Sequence, residues 1–275
     1  MKRDAYKVVG ECLVFTLAFA ILLGFVVACS GDNDVAGGSS VDSGVVAITN
    51  KQIAGVAQKG PFVKGSSVIL KETSAAGNLK PTGKEFFATT RSNAGDFVIE
   101  GINLESQYVR LTATGYYKRE VTGKNSECQV RLNALSDVSN RDRININVFT
   151  HLEYARVLKL IEKGMPFREA KKQARADWLN AFDKKHFDEE FEDLDVNGSG
   201  VDDEALEKLS TLIDGCAFNE DIPSDKRCTV GQNVIDTFAD TFAKSGKLPT
   251  DFEVKDWPRD VSMPCIYLLM EFYAE

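Results

Sequence analysis

Hydrophobic and polar positions are distributed differently in four successive stretches of this chain, and each pattern predicts a different kind of structure. From Leu13 to Ala28 the residues are apolar except for Thr16 and Gly24, and basic Lys2, Arg3 and Lys7 precede the run. This is the layout of a secretory leader rather than of a folded element. At about 1.5 Å per helical residue the run reaches roughly 24 Å, short of a hydrocarbon core of about 30 Å. Ser30 to Asn50 is rich in Gly, Ser, Asp and Asn and poor in large apolar residues, which predicts a flexible tether.

From Gln52 the pattern becomes short alternating or β-branched runs separated by Gly, Pro, Asn and Asp. The runs are Ile53 to Ala57, Ser67 to Lys71, Glu85 to Thr90, Phe97 to Glu100, Tyr108 to Thr114, Tyr116 to Val121, Gln129 to Leu132 and Ile144 to Val148. Strands at this spacing predict a small antiparallel β-sandwich over residues 51–148. The period then lengthens. Thr150 and Glu153 read as a capping box, Leu152, Ala155, Leu158 and Ile161 as one helical face, and Lys163-Gly164 as its end. Pro166 opens a second helix with Phe167, Ala170, Ala174, Trp178 and Ala181 inward and Lys171, Lys172 and Arg175 outward. Helices are also predicted over Asp202 to Asp214, Gln232 to Lys244 and Met263 to Tyr273. The fold class expected is α+β: leader 1–28, tether 29–50, β-sandwich 51–148 and an α-helical C-terminal domain 149–275.

Charge and cysteines sharpen this picture. The chain carries −8, and loss of residues 1–28 removes three positive and two negative charges, leaving −9. An acidic chain of this kind is a poor partner for nucleic acid. Cys128, Cys216, Cys228 and Cys265 follow Cys29, and outside the cytosol an even number predicts disulfides. Cys216 and Cys228 close a short loop and form the preferred pair, with Cys128 and Cys265 either joined or free. No C-x-x-C is present and the two histidines, His151 and His186, are far from the cysteines, which argues against zinc.

Three resemblances add to these readings. Val26-Val27-Ala28-Cys29 at the end of the apolar run resembles the lipobox of bacterial lipoproteins, which implies removal of the leader and lipidation of Cys29. The competing readings are an uncleaved anchor helix and an ordinary leader cleaved near Ala28; neither accounts for Cys29. Ser30 in the following position implies sorting to the outer membrane, and Asp32 and Asp34 resemble acidic surface-export signals. Gly55-Val56-Ala57, Val63 to Leu70, Thr89-Thr90, Asn93 to Phe97 and Tyr108 to Tyr116 follow the order of carboxypeptidase regulatory-like domains. That likeness implies a transthyretin-like sandwich, a module that is mostly non-catalytic. Gly115-Tyr116-Tyr117 through Asn145-Ile146-Asn147-Val148 and Thr150 to Tyr154 is similar to uncharacterised surface lipoproteins of fibre-degrading bacteria.

Candidate sites are few. Asp193, Asp195, Asn197, Ser199 and Glu204, with Gly198 between them, have the oxygen-ligand spacing of an EF-hand or dockerin-like calcium loop. Gly200 stands where that loop needs an apolar residue. The competing reading is an acidic linker in which Asn197-Gly198 turns and Asp202 caps the next helix. Tyr116 and Tyr117, beside Lys118 and Arg119, are candidates for stacking on polysaccharide, although strand alternation sends one of the two into the core. No G-x-S-x-G, H-E-x-x-H or phosphate loop occurs, so catalysis has no motif behind it. The expectation is a non-catalytic protein anchored through lipid at the outer membrane or cell surface, with polysaccharide or an envelope protein as partner and no cofactor beyond that candidate calcium. The alternative is an accessory or cryptic hydrolase acting on plant polysaccharide.

Overall fold

The computed structural model describes residues 44–74, 79–182, 186–217, 222 and 224–248. Cys29, the leader, most of the tether and the helix expected at Met263 to Tyr273 lie outside them. The described strands are β1 (Ile48–Val56), β2 (Ser67–Thr73), β3 (Pro81–Thr89), β4 (Asp96–Leu104), β5 (Tyr108–Gly115) and β6 (Val130–Asp137). The described helices are α1 (Val148–Glu162), α2 (Phe167–Ala181), α3 (Val201–Ala217) and α4 (Arg227–Ser245). The class is α+β.

Two antiparallel sheets form, one of β1 and β4 and one in the order β3-β2-β5-β6. β1 starts at Ile48, inside the stretch read as tether, and the backbone of Val46 donates to Gln107 Oε1 at 2.8 Å. Gly95 shows why the strands fall where they do. It takes φ +81°, a left-handed value that other residues resist, and a side chain there would strike the Ala57 carbonyl. The turn then delivers Phe97 to the core, where it is 1% exposed. Glu72, buried in β2, accepts from the Ser106 backbone at 2.9 Å, from the Glu105 backbone and from Thr82 Oγ1 at 2.7 Å, closing the β4–β5 turn.

Two expected strands turn out differently. Tyr116 to Val121 makes only isolated bridges, Phe62 to Tyr117 and Lys118 to Asn125. The segment at 142–147 runs parallel to β1, bonded through Ile144 N to Ala54 O (2.9 Å) and Ile146 N to Val56 O (2.8 Å). It ends at Val148, where α1 begins. The capping box sits one turn earlier than Thr150 and Glu153: Asn147 is the N-cap and Thr150 the reciprocal partner. Thr150 instead serves as the third helical residue because the Asn147 side chain takes its amide.

β6 is buried on both faces. Val130, Leu132 and Ala134 join Val68, Leu70, Leu111, Ile53 and Phe97 in one apolar cluster that continues into Phe149, Trp178, Leu206, Leu209, Ile213, Phe238 and Phe242. Leu135, on the other side, packs with Tyr108, Val157, Ile161, Phe167 and Ala174. Strands and helices therefore share a core. α1 lies among β6, α2, α3 and α4, so its burial extends well beyond the single stripe expected and includes Glu153 and Arg156. Arg156 is satisfied by Asp177 Oδ2 (2.7 Å) and by the Ala243 carbonyl (2.9 Å).

The preferred cysteine pair is corrected: Cys228 bonds Cys128, with Cα atoms 5.1 Å apart, and not Cys216. The reason is where α4 docks. Its second turn lies along the start of β6, with Gln232 Oε1 accepting from Arg131 N at 2.8 Å and Arg227 3.4 Å from Glu127, so Cys228 faces the sheet and not α3. Cys216 is also disulfide-bonded, to a partner outside the described residues. Because the Cys128–Cys228 bond spans a separation of 100 residues, its loss frees much chain entropy in the unfolded state. Cys228→Ser is expected to lower stability by about 3–5 kcal/mol in denaturant melts without reductant.

Candidate functional site

The strongest cluster of polar side chains lies where α1, α2, β6 and the 187–197 segment meet. Lys171 follows Ala170 and precedes Ala174, both fully buried. Its stem therefore runs along an apolar floor, and its ammonium emerges beneath the surface. There it donates to Glu153 Oε2 at 2.5 Å, Glu192 Oε1 at 2.7 Å and the Leu135 carbonyl at 3.3 Å. Ser136 Oγ also donates to Glu192 Oε1 at 3.0 Å. Lys171 is thus not an outward residue of α2, and Glu153 is not a capping residue; each is a member of a buried carboxylate–ammonium–carboxylate group.

Glu192 comes to this place because its backbone is tied down. Asn145 N donates to the Glu192 carbonyl at 2.8 Å, and Asn147 Nδ2 donates to the Phe191 carbonyl at 2.9 Å. Phe191 and Phe187 enter an aromatic cluster with Phe149 and Trp178, whose centroids lie 4.3 Å apart. The acidic run at 188–192 is consequently divided: Glu189 and Glu190 stay exposed while Glu192 is driven inward.

The two carboxyls respond oppositely to burial. Burial raises the Glu153 carboxyl, Lys171 opposes that and Glu192 reinforces it, leaving it near 8. Burial also works against ionised Glu192, but Lys171 and Arg141 outweigh it and hold that carboxyl below the ordinary range. One ammonium cannot fully compensate two buried carboxylates, so the proton goes to the one farther from a second cation.

Over this group lies a cavity of about 330 Å³. Its wall carries five cations, Arg141, Arg168, Lys171, Lys172 and Arg175, against the carboxylates of Asp137, Glu190 and Glu192. On a chain of charge −8 this is a local reversal of sign. Arg141 is held by Asp193 at 2.6 Å and Arg175 by Glu190 at 2.7 Å, while Arg168 is only loosely paired with Asp137 at 3.9 Å. Lys172 is exposed and makes no ion pair or hydrogen bond among the described residues.

A second, larger groove of about 700 Å³ runs past Gly60, Lys118, Arg119, Glu120, Asn197 and Thr211. Its floor is a buried network that fastens α3 to the strands. Lys59 is 0% exposed and donates to the Ser210 carbonyl at 2.6 Å and to Glu120 at 3.2 Å, and Glu120 also accepts from Ser210 Oγ. Asp214 accepts from Tyr117 OH at 2.9 Å and from Arg119 Nε at 3.2 Å.

Most of the site residues expected from sequence are scattered by the structure. Tyr117 is 0% exposed, packs against Phe62 and is bonded to Asp214, so it belongs to the core and cannot stack on a glycan. Burial and the Asp214 carboxylate push its phenol far above the usual range. Tyr108 is buried against Phe167, and Tyr116 alone of the three is exposed, at 43%.

The proposed calcium ligands face protein donors. Asp193 pairs with Arg141, and Asp195 Oδ1 accepts from Gln58 Nε2 at 2.7 Å and from the Asn197 amide at 2.8 Å. Asp203, not Asp202, closes the start of α3, accepting from Gly200 N at 3.1 Å and Asp195 N at 2.8 Å. Its carboxylate fills the space a side chain on Gly198 would need. Val201 is 82% exposed, Glu204 is exposed, and no group of three or more His, Cys, Asp or Glu is placed to hold a metal among the described residues. His151 Nδ1 accepts from the Asn133 amide at 3.1 Å, which puts its proton on buried Nε2, 3.8 Å from Asp236. Among the described residues no helix is long and apolar enough to cross a membrane.

Comparisons with protein-family models, curated proteins and solved structures each returned no match.

Sequence reasoning missed Glu153, Lys171 and Glu192 because each has another ready explanation: a cap, a solvent face, an acidic run. The available signal was their neighbours. Glu192 lies between Phe191 and Leu194, and Lys171 between two helix-face alanines, so both are flanked by residues that must be buried.

A carboxyl raised by folding favours the native state at low pH, and that contribution is lost as pH rises from about 4.5 through the value near 8. Glu153→Gln removes the loss and leaves Lys171 paired with Glu192. Relative to the parent, this variant is expected to gain stability between about pH 6 and pH 9, by at most about 3 kcal/mol. Melts at the two pH values check it; a difference independent of pH contradicts the assignment.

Proposed function

We propose that this chain is a lipid-anchored protein of the bacterial outer membrane or cell surface that binds or scaffolds and does not catalyse. The observation that carries the reading is the apolar run ending in Val26-Val27-Ala28-Cys29, followed by a polar spacer. Lipid on Cys29 gives that thiol a purpose, and two or three acyl chains hold a membrane where one does not. The strands are read as a transthyretin-like sandwich, supported by the two antiparallel sheets that share a core and by the Gly95 turn before Phe97.

A binding role is supported by two open concavities with polar linings, on which polysaccharide or an envelope protein can dock. The rival, a hydrolase, draws on Glu153 and Glu192, since paired carboxyls displaced in opposite directions suit acid–base work. The Glu153 side chain is only 4% exposed and does not form part of the cavity wall, so it does not meet a bound molecule. Binding is the better reading.

The test is the state of Cys29. Mass spectrometry of protein recovered from membranes is expected to find the chain beginning at acylated Cys29. Cys29→Ala is expected to release or misplace the protein while its melting temperature changes by less than about 2 °C, because Cys29 precedes in sequence every residue of the described core. An unmodified amino terminus or an intact leader contradicts the proposal.

A further inference from the structure

We propose that the cavity over Lys171 is a ligand site for a small hydroxylated carboxylate, of the chemical class of a uronic acid sugar. This deepens the binding reading above and rests on it, since it names the ligand of one of the two concavities.

The size is the first argument. About 330 Å³ lies at the lower end of small-ligand pockets, room for one sugar-sized residue. The sign of the rim is the second. Lys172 has no partner among the described residues and Arg168 is only loosely paired, so two cations about one helical turn apart are available to an anion. Both sit near the start of α2, whose N-cap, Pro166, offers no side-chain hydrogen bond to the first-turn amides. An anion at this end meets the positive pole of the helix as well as the two side chains.

Glu192 decides what else the ligand carries. It lines the cavity with a side chain 3% exposed, and its Oε2 has no hydrogen-bond partner among the described residues. A buried carboxylate oxygen left unmade costs free energy, so a donor from the ligand is favoured there. Lys171 and Arg141 already offset the charge on Glu192, and a second ammonium beside Lys171 is repelled. The fitting donor is therefore a neutral hydroxyl. Phe167, 7% exposed, adds a small apolar patch to the wall, against which a polarised C–H group of a sugar ring can rest. Carboxylate at Arg168 and Lys172, hydroxyl at Glu192 and C–H face at Phe167 together describe a sugar acid; a bare anion or a neutral sugar uses only part of the site.

The experiment is titration calorimetry on the full chain in detergent, with galacturonate, glucuronate, glucose and inorganic phosphate as separate probes. Saturable binding of at least one uronate is expected, weakening as salt is raised, with glucose and phosphate at least about tenfold weaker. The charge-reversal pair Arg168→Glu and Lys172→Glu, both on exposed side chains, is expected to weaken the uronate at least about tenfold while leaving the melting temperature near that of the parent. Absence of uronate binding by the folded protein, equal binding of phosphate or glucose, or uronate binding that survives charge reversal each overturns the proposal. These outcomes are independent of whether Cys29 carries lipid, so failure of the site and failure of the anchored reading are told apart.

Discussion

Two asparagine side chains, both 0% exposed, tie β1, the start of α1 and the 187–197 segment together. Asn145 Oδ1 accepts from the Val56 amide at 3.1 Å, and its Nδ2 donates to the carbonyls of Leu194 at 2.9 Å and Asp193 at 3.2 Å. Asn147 caps α1 with its oxygen and holds the Phe191 and Leu194 carbonyls with its nitrogen. The two amide groups together thus close a strand edge, a helix start and an irregular segment. Inside a dry core the alternative is several unpaired backbone groups, each costing about 1–3 kcal/mol. The clamp helps Phe191, Glu192 and Leu194 to lie buried in a segment without helix or strand of its own.

From that constraint the site follows. Fixing the backbone at Phe191 and Glu192 inserts one side chain into the aromatic cluster and turns the other toward Lys171. Burial of two carboxylates on one ammonium is a poor arrangement for stability, since a charge removed from water is repaid only when fully paired. This arrangement lies beneath a cavity, with one carboxylate oxygen that has no hydrogen-bond partner among the described residues, the feature on which the proposed ligand site rests. The network beneath the larger groove differs: Lys59, Glu120 and Ser210, like Tyr117, Arg119 and Asp214, have their principal groups matched across α3 and the strands, which is what a fastening requires.

Period and punctuation revealed most of the elements. β2, β5 and α2 begin within two residues of the positions that alternation and Pro166 indicate, and α1 begins three residues ahead of the helix that a Thr150 cap implies. What stayed hidden depended on contacts distant in sequence. Tyr116 to Val121 alternates like a strand, yet Tyr117 and Arg119 are claimed by Asp214 on α3. Cys216 and Cys228 are near in sequence, but α4 is drawn to β6, and only the docked helix shows which thiol faces which. The spacing from Asp193 to Glu204 fits a calcium loop, whereas the structure pairs Asp193 with Arg141, Asp195 with Gln58 and the Asp203 carboxylate with the Gly200 amide. Glu153, Lys171 and Glu192 were visible as residues and invisible as a group, because no local pattern distinguishes a charge that caps or solvates from one that is buried.

The place of Glu192 beside Lys171 therefore depends on the asparagine clamp, and amide hydrogen exchange reads that dependence directly. In Asn145→Ala, compared with the parent chain, exchange is predicted to accelerate across 187–197 and at Val56 while β2 and β5 keep their protection. Unchanged exchange in 187–197, or equal acceleration throughout the sheet, contradicts the account.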